Sequence, residues 1–228
     1  MTALFRGENQ FLHLPLDVRP RLLVVAAAGL LAVSLMFPLW NMTMFAPQYP
    51  DGLRLDIFAS GLEAGRDGQD LKEINLLNHY IGMRDLSDES FAEFQWMPFV
   101  IGGLALLFLR AAALGEMKML VDALVLYLYF AGFSLWSFAH KLYTYGHELS
   151  PTAAVKVEPF MPPVFGAKQL ANFEVYSYPA VASYLLIAAG ALLMAAVWLG
   201  WRESAAIEKV AHAGVDSPRT VPARLPGR

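Results

Sequence analysis

Four stretches of the chain are apolar for long enough to predict helices that cross a lipid bilayer. They cover residues 22–40, 96–114, 119–139 and 179–201. A helix needs roughly 20 apolar residues to cross a hydrocarbon core about 30 Å thick, because every backbone polar group must be hydrogen-bonded inside the segment. The pattern therefore predicts an all-α integral membrane protein with four transmembrane helices.

The connections between these stretches predict the topology. Only residues 115–118 join the second and third stretches, which predicts an antiparallel hairpin. An even number of spans places this turn on the same side as residues 1–21 and 202–228. Basic residues near helix ends favour this side as the cytoplasmic one. We therefore expect a multi-pass protein of the bacterial inner membrane, in contact with the lipid bilayer, with both termini and a flexible tail over 202–228 in the cytoplasm.

Two longer polar segments, residues 41–95 and 140–178, fall on the opposite side. They are too long to be simple connections. Alternation of apolar and polar residues over 53–57 predicts a short strand in the first segment. We expect the two segments to form a mixed, partly helical extracytoplasmic region.

An amphipathic helix is predicted inside the first outer segment. Asp70 and Glu73 have the spacing of a capping pattern, and Gly82 is placed to end the helix. The apolar positions recur at helical spacing at Leu71, Ile74, Leu77 and Ile81. The opposite face carries Asn75, Asn78 and His79, and we expect function first on this face.

Composition agrees with a membrane protein and excludes several function classes. Hydrophobic residues make up 57% of the chain, charged residues 16%, and the mean hydropathy is +0.43. A net charge of -3 gives no basic field for nucleic acid. The chain has no cysteine, which excludes disulfides, thiolate metal sites and cysteine nucleophiles. Hydrolase and nucleotide-binding motifs are missing as well, so we expect a non-enzymatic protein without catalytic residues.

The outer segments instead carry soft metal donors. Met42 and Met44 form an M-x-M pair just after the first predicted span, and His79 precedes Met83 by four residues. Thioether and imidazole together suit Cu(I), whereas zinc more often takes cysteine, histidine and carboxylate. The candidate copper ligands are His79, Met83, His147, Met42 and Met44.

Each candidate ligand also has a structural explanation. Methionine commonly fills irregular space, as Met42 and Met44 would at the membrane surface. His79 would then be a surface histidine hydrogen-bonded to a neighbouring asparagine. His147 would interact with the negative end of the third predicted helix.

Four segments of the outer region resemble a known family. They are residues 46–53 (APQYPDGL), 74–83 (INLLNHYIGM), 145–149 (YGHEL) and 166–173 (GAKQLANF). As a set they resemble uncharacterised bacterial membrane proteins associated with gene clusters for nitrous-oxide reductase maturation and its copper chaperone. The resemblance implies a copper-linked accessory role and assigns no ligand.

Two functions follow as hypotheses. The first is a membrane accessory protein that binds Cu(I), or docks a periplasmic copper chaperone, for assembly of a cuproenzyme. The second is a structural subunit that packs against a larger membrane complex without metal. Convergence of His79, Met83 and His147 in one ligand sphere favours copper, whereas wide separation beside an exposed apolar face favours the subunit.

Overall fold

The computed structural model describes residues 11–170 and 173–215, which contain five α-helices and five β-strands. The helices are α1 (Val18–Ser34), α2 (Gln69–Tyr80), α3 (Glu93–Leu114), α4 (Met117–His147) and α5 (Val181–Val215). The strands are β1 (Trp40–Ala46), β2 (Tyr49–Ile57), β3 (Leu62–Ala64), β4 (Gly166–Leu170) and β5 (Phe173–Pro179).

A bundle of α1, α3, α4 and α5 forms the first apolar core. Helix α1 packs mainly against α3 and α5. Small residues fill much of this core, because alanine lets neighbouring helix backbones approach closely. The fully buried residues include Ala27, Leu31, Phe108, Ala111, Leu120, Ala123, Ala189, Leu193 and Ala196. Helix α4 is the least enclosed, with 17% of its most apolar stretch buried against 28% in α3.

Three helices within the described residues are long and apolar enough to cross a membrane: Glu93–Leu114, Met117–His147 and Val181–Glu203. The prediction of four transmembrane helices is therefore wrong. The apolar run 22–40 is not one helix, because α1 ends at Ser34 and Trp40 already belongs to a strand. The 17 residues of α1 span about 26 Å at 1.5 Å per residue, which is shorter than a typical hydrocarbon core of about 30 Å.

The prediction of an all-α protein is also wrong, because the two outer segments form one antiparallel sheet. Its strand order is β3-β2-β1-β5-β4. Strand β1 pairs with β2 on one side, Met42 opposite Leu55, and with β5 on the other, Met42 opposite Ser177. The expected strand over 53–57 is only the end of β2. The strands form two local groups, β1 to β3 and β4 with β5, and only the pairing of β1 with β5 joins segments far apart in sequence, which local periodicity does not reveal.

Helix α2 packs on this sheet and completes a second apolar core with Met44, Leu53, Ile74 and Val175. The predicted cap by Asp70 is not formed, since Gly68 is the N-cap residue and makes no side-chain cap bond. The buried Asp70 carboxylate instead accepts a hydrogen bond from the Arg54 amide of β2 at 2.9 Å. Asp70 thus fastens the start of α2 to the sheet.

Short contacts fix the sheet to one end of the bundle. The Leu39 carbonyl accepts hydrogen bonds from the Ala180 amide at 2.9 Å and from the Ser183 hydroxyl at 2.6 Å. The Trp40 ring lies 5.0 Å from the Phe138 ring of α4, centroid to centroid. The junctions into and out of the sheet are therefore held together at the top of the bundle.

The opposite end of the bundle brings together the start of α1 and the α3–α4 turn. The Leu16 amide donates to the Gly115 carbonyl at 2.7 Å, and the Met117 amide donates to the Leu14 carbonyl at 3.0 Å. Helix α5 continues to Val215, into the segment expected to be a flexible tail. The remainder of that tail, 216–228, and residues 1–10 lie outside the described residues.

Gly146 provides a test of the packing between α4 and the proline-rich segment that follows it. A Cβ atom at Gly146 would lie 1.9 Å from the Phe160 carbonyl oxygen. The Phe160 amide also donates a hydrogen bond to the Gly146 carbonyl at 3.0 Å. We expect Gly146→Ala to lower the free energy of unfolding by about 1–3 kcal/mol through overpacking. The measurement is thermal or denaturant unfolding in detergent.

Gly132 on the same helix is the matched control, because no atom lies within 4 Å of its Cβ position. Gly132→Ala should be neutral or stabilising by roughly 0.5–1 kcal/mol, since alanine favours helix. Equal unfolding midpoints for the two variants would contradict the close contact at Gly146.

Candidate functional site

A chamber of about 460 Å³ lies between the sheet and the helical bundle. Its walls come from β1, β2 and β5, from α3, α4 and α5, and from the segment between α2 and α3. Most of the wall is aliphatic, aromatic or thioether. Cavities of roughly 300–1,000 Å³ with such walls are typical small-molecule sites. We therefore treat this chamber as the candidate functional site.

The sheet wall is set by alternation along β1. Trp40, Met42 and Met44 line the chamber, because every second side chain of a strand points to the same face. The Trp40 indole donates a hydrogen bond to the Ser177 hydroxyl at 2.8 Å, and Ser177 in turn donates to the Val164 carbonyl at 3.1 Å. This chain of bonds fixes the orientation of the Trp40 ring in the wall.

Tyr127 of α4 lines the chamber on the side of the helical bundle. The Tyr127 hydroxyl donates to the Leu186 carbonyl at 2.6 Å and so joins α4 to α5. A Cβ atom at Gly190 would lie 2.9 Å from the Tyr127 ring, so glycine makes room for this close approach. Above this contact α4 contributes Ser134 and Phe138 to the chamber.

A charged pair stands at one corner of the chamber. Glu93, at the start of α3, accepts a hydrogen bond on Oε1 from the Ser137 hydroxyl at 2.8 Å. The Lys141 ammonium lies 3.6 Å from Glu93 Oε2 and 5.5 Å from the centre of the Phe91 ring. The Glu93 side chain is 17% exposed, so its charge depends on these partners rather than on bulk water.

Three predicted copper ligands lie on the wall of this chamber. They are Met42, Met44 and Met83, and Met97 joins them from α3. Met42 and Met44 are buried. The chamber thus gathers thioethers from the sheet, from the bundle and from the segment between them.

The two predicted histidine ligands do not line the chamber. His79 is exposed on α2. The His147 ring stacks on the Tyr143 ring at 3.7 Å between centroids, and its Nδ1 lies 2.9 Å from the Tyr143 carbonyl oxygen. The described contacts do not bring His79, Met83 and His147 together, and the described residues contain no cluster of three or more His, Asp or Glu side chains arranged for a metal ion.

The end of α2 explains why His79 and Met83 diverge. Gly82 has a φ of +81°, and the amides of Gly82 and Met83 donate to the carbonyls of His79 and Asn78. This is a Schellman motif, which ends a helix and turns the following residue back toward it. The four-residue spacing therefore does not continue on one helix face.

Sequence reasoning missed the pairing of Glu93 with Lys141. Each is an ionisable residue just outside a predicted span, 96–114 or 119–139, at the ends that the hairpin places together. The position of both residues at the same end of the predicted hairpin indicates that their side chains can pair. The sequence predicts Asn78 on the polar face of a helix, but the structure buries it at 2% exposure in the chamber wall.

Comparison of the chain with protein-family models, with curated proteins and with solved structures gives no match.

Proposed function

We propose that this protein is a non-catalytic membrane protein that holds a predominantly apolar small molecule in the chamber. The observation that carries the proposal is the wall of a 460 Å³ cavity lined by aliphatic, aromatic and thioether side chains. Protein interiors are normally packed to crystal-like density, so a gap of this size between two well-packed cores has a cost. A bound apolar molecule offsets that cost by restoring the lost contacts.

Filling the chamber tests this proposal. Ser134 lies on the wall and its buried hydroxyl has no partner among the described residues. Replacing it with phenylalanine adds a ring inside the chamber without removing a hydrogen bond. We expect Ser134→Phe to lose saturable binding of bromoundecane, a bromine-bearing alkane that quenches tryptophan fluorescence at short range.

The readout is Trp40, which lines the chamber, in a protein whose other tryptophans are phenylalanine. Gly132→Phe is the matched control on α4, because its side chain would point into open space. A protein retaining only Trp198, which is half exposed, reports partition of the probe into the detergent. Linear, unsaturable quenching of Trp40 in the parent protein would overturn the proposal.

A second candidate function is Cu(I) binding for assembly of a cuproenzyme. The observation that favours it is the gathering of Met42, Met44, Met83 and Met97 around one cavity. Thioethers are soft ligands that select Cu(I). The resemblance to bacterial membrane proteins associated with a copper chaperone also supports this candidate, with a periplasmic chaperone or cuproenzyme as the partner.

The copper candidate predicts that thioethers, rather than histidines, carry the affinity. Under it, the triple variant Met42→Leu, Met44→Leu, Met83→Leu lowers Cu(I) affinity at least tenfold in competition with a chelator, while leucine preserves bulk. Met194→Leu, at an exposed position on α5, is the control. Equal Cu(I) affinity in all variants would contradict the copper-binding hypothesis. If the protein binds neither Cu(I) nor bromoundecane, the remaining hypothesis is a structural subunit of a larger complex.

The sheet and the chamber are placed on the extracytoplasmic side of the bacterial inner membrane in this proposal. The opposite end of the bundle carries Arg19, Arg21, Arg110, Lys118 and Arg202, and basic residues near helix ends favour the cytoplasm. The start of α1 lies at this same end through its contact with Gly115.

A cysteine-free chain makes this orientation simple to test. Asp51→Cys, at an exposed position of β2, should react with a membrane-impermeant maleimide in intact cells. Lys118→Cys, exposed near the start of α4, should react only after the cells are opened. Labelling of Lys118→Cys in intact cells would reverse the proposed orientation.

A further inference from the structure

Three buried polar atoms of the chamber wall have no hydrogen-bond partner among the described residues. They are Asn78 Nδ2, Glu93 Oε2 and Ser134 Oγ. Asn78 is almost completely buried, with 2% of its surface exposed. Buried polar groups in native proteins are nearly always hydrogen-bonded, and an unpaired one is unfavourable. Their concentration on one cavity points to a ligand that carries both a donor and an acceptor.

The charges at the chamber corner restrict the head group of that ligand. A carboxylate would compete with Glu93 for the Lys141 ammonium, and it could not donate to Glu93 Oε2, which has no hydrogen-bond partner among the described residues. An ammonium would have to displace the Lys141 ammonium, whose nitrogen lies 3.6 Å from that oxygen. A neutral hydroxyl avoids both conflicts, since it donates one hydrogen bond to a carboxylate and accepts another from an amide.

Two exposed residues of the chamber lining lie on apolar helices that are long enough to span a membrane. The chamber is lined by Leu135 of α4 and by Ile187 of α5, the residue that follows the Leu186 carbonyl bound by Tyr127. These two side chains are also 55% and 66% exposed. Both lie inside helices that are apolar and long enough to span a membrane, so the gap between α4 and α5 opens toward the acyl chains.

We infer that the chamber takes a lipid-phase alcohol or phenol through the gap between α4 and α5, with its hydroxyl bound at Glu93. The inference rests on the proposed binding function of the chamber and adds the chemical class of the ligand and its route. The hydroxyl donates to Glu93 Oε2, and we expect its oxygen to accept a hydrogen bond from the amide of Asn78, which lines the same chamber. The apolar body lies against the methionine and aromatic wall.

The test compares four brominated probes by quenching of Trp40 in the single-tryptophan protein: bromoundecanol, bromoundecane, bromoundecanoic acid and bromoethanol. Bromoundecanol should bind about tenfold or more tightly than bromoundecane, because a hydrogen bond to a charged acceptor is among the stronger ones. The acid should bind more weakly than the alcohol. Bromoethanol, which remains in water, should give only linear quenching.

Glu93→Gln then tests the acceptor. The glutamine amide keeps the size of the side chain but replaces one carboxylate oxygen with a donor. The ratio of alcohol affinity to alkane affinity should fall largely to one. Glu148→Gln, which alters an exposed pair with Arg84 at the protein surface, should retain the preference. Asn78→Leu provides a second variant and should lower the ratio of alcohol affinity to alkane affinity.

The possible outcomes distinguish failure of the inferred head group from failure of the proposed binding function. Saturable alkane binding without an alcohol preference overturns the inferred head group and leaves the binding function standing. An unchanged preference in both Glu93→Gln and Asn78→Leu overturns the assignment of the polar corner. Saturable quenching by bromoethanol overturns the lipid-phase route, and the absence of saturable binding by every probe overturns the binding function itself.

Discussion

The pairing of β1 with β5 is the interaction on which the rest of the architecture depends. It joins the segment after α1 to the segment before α5. The Trp40 indole, which donates a hydrogen bond to the Ser177 hydroxyl, connects residues 137 positions apart. Closing so long a loop costs entropy, which the ladder, the apolar face of the sheet and the packed bundle repay together. Without this pairing the sheet would not enclose the chamber on the side opposite the helical bundle.

The chamber follows from having two apolar cores in one chain. Alanine-rich helices pack closely in the bundle, and α2 packs tightly on the sheet, but the bulky side chains between these cores leave a gap. Helix α4, the least enclosed helix, forms one edge of this gap. The gap therefore lies between the two clusters of buried side chains rather than within either of them.

The methionines in the chamber wall explain why one cavity supports two functional candidates. A thioether fills irregular apolar space and also acts as a soft metal donor. Met42, Met44 and Met83 satisfy both descriptions, whereas His79 and His147 lie outside the wall. Glu93 Oε2 and Asn78 Nδ2, which line the same chamber and have no hydrogen-bond partner among the described residues, favour an organic ligand, because Cu(I) would provide neither a donor nor an acceptor for them.

Local signals in the sequence determined the apolar helices α3, α4 and α5, the short turn at Gly115, and the end of α2 at Gly82. Hydropathy, length and glycine conformation are properties of consecutive residues, so no tertiary contact was needed to predict them. Tertiary structure alone decided the joining of the two outer segments into one sheet through β1 and β5, the early end of α1 at Ser34, and the burial of Asn78 in the chamber wall. These features depend on partners distant in the chain, and the face on which a side chain is buried is fixed only when its partner arrives.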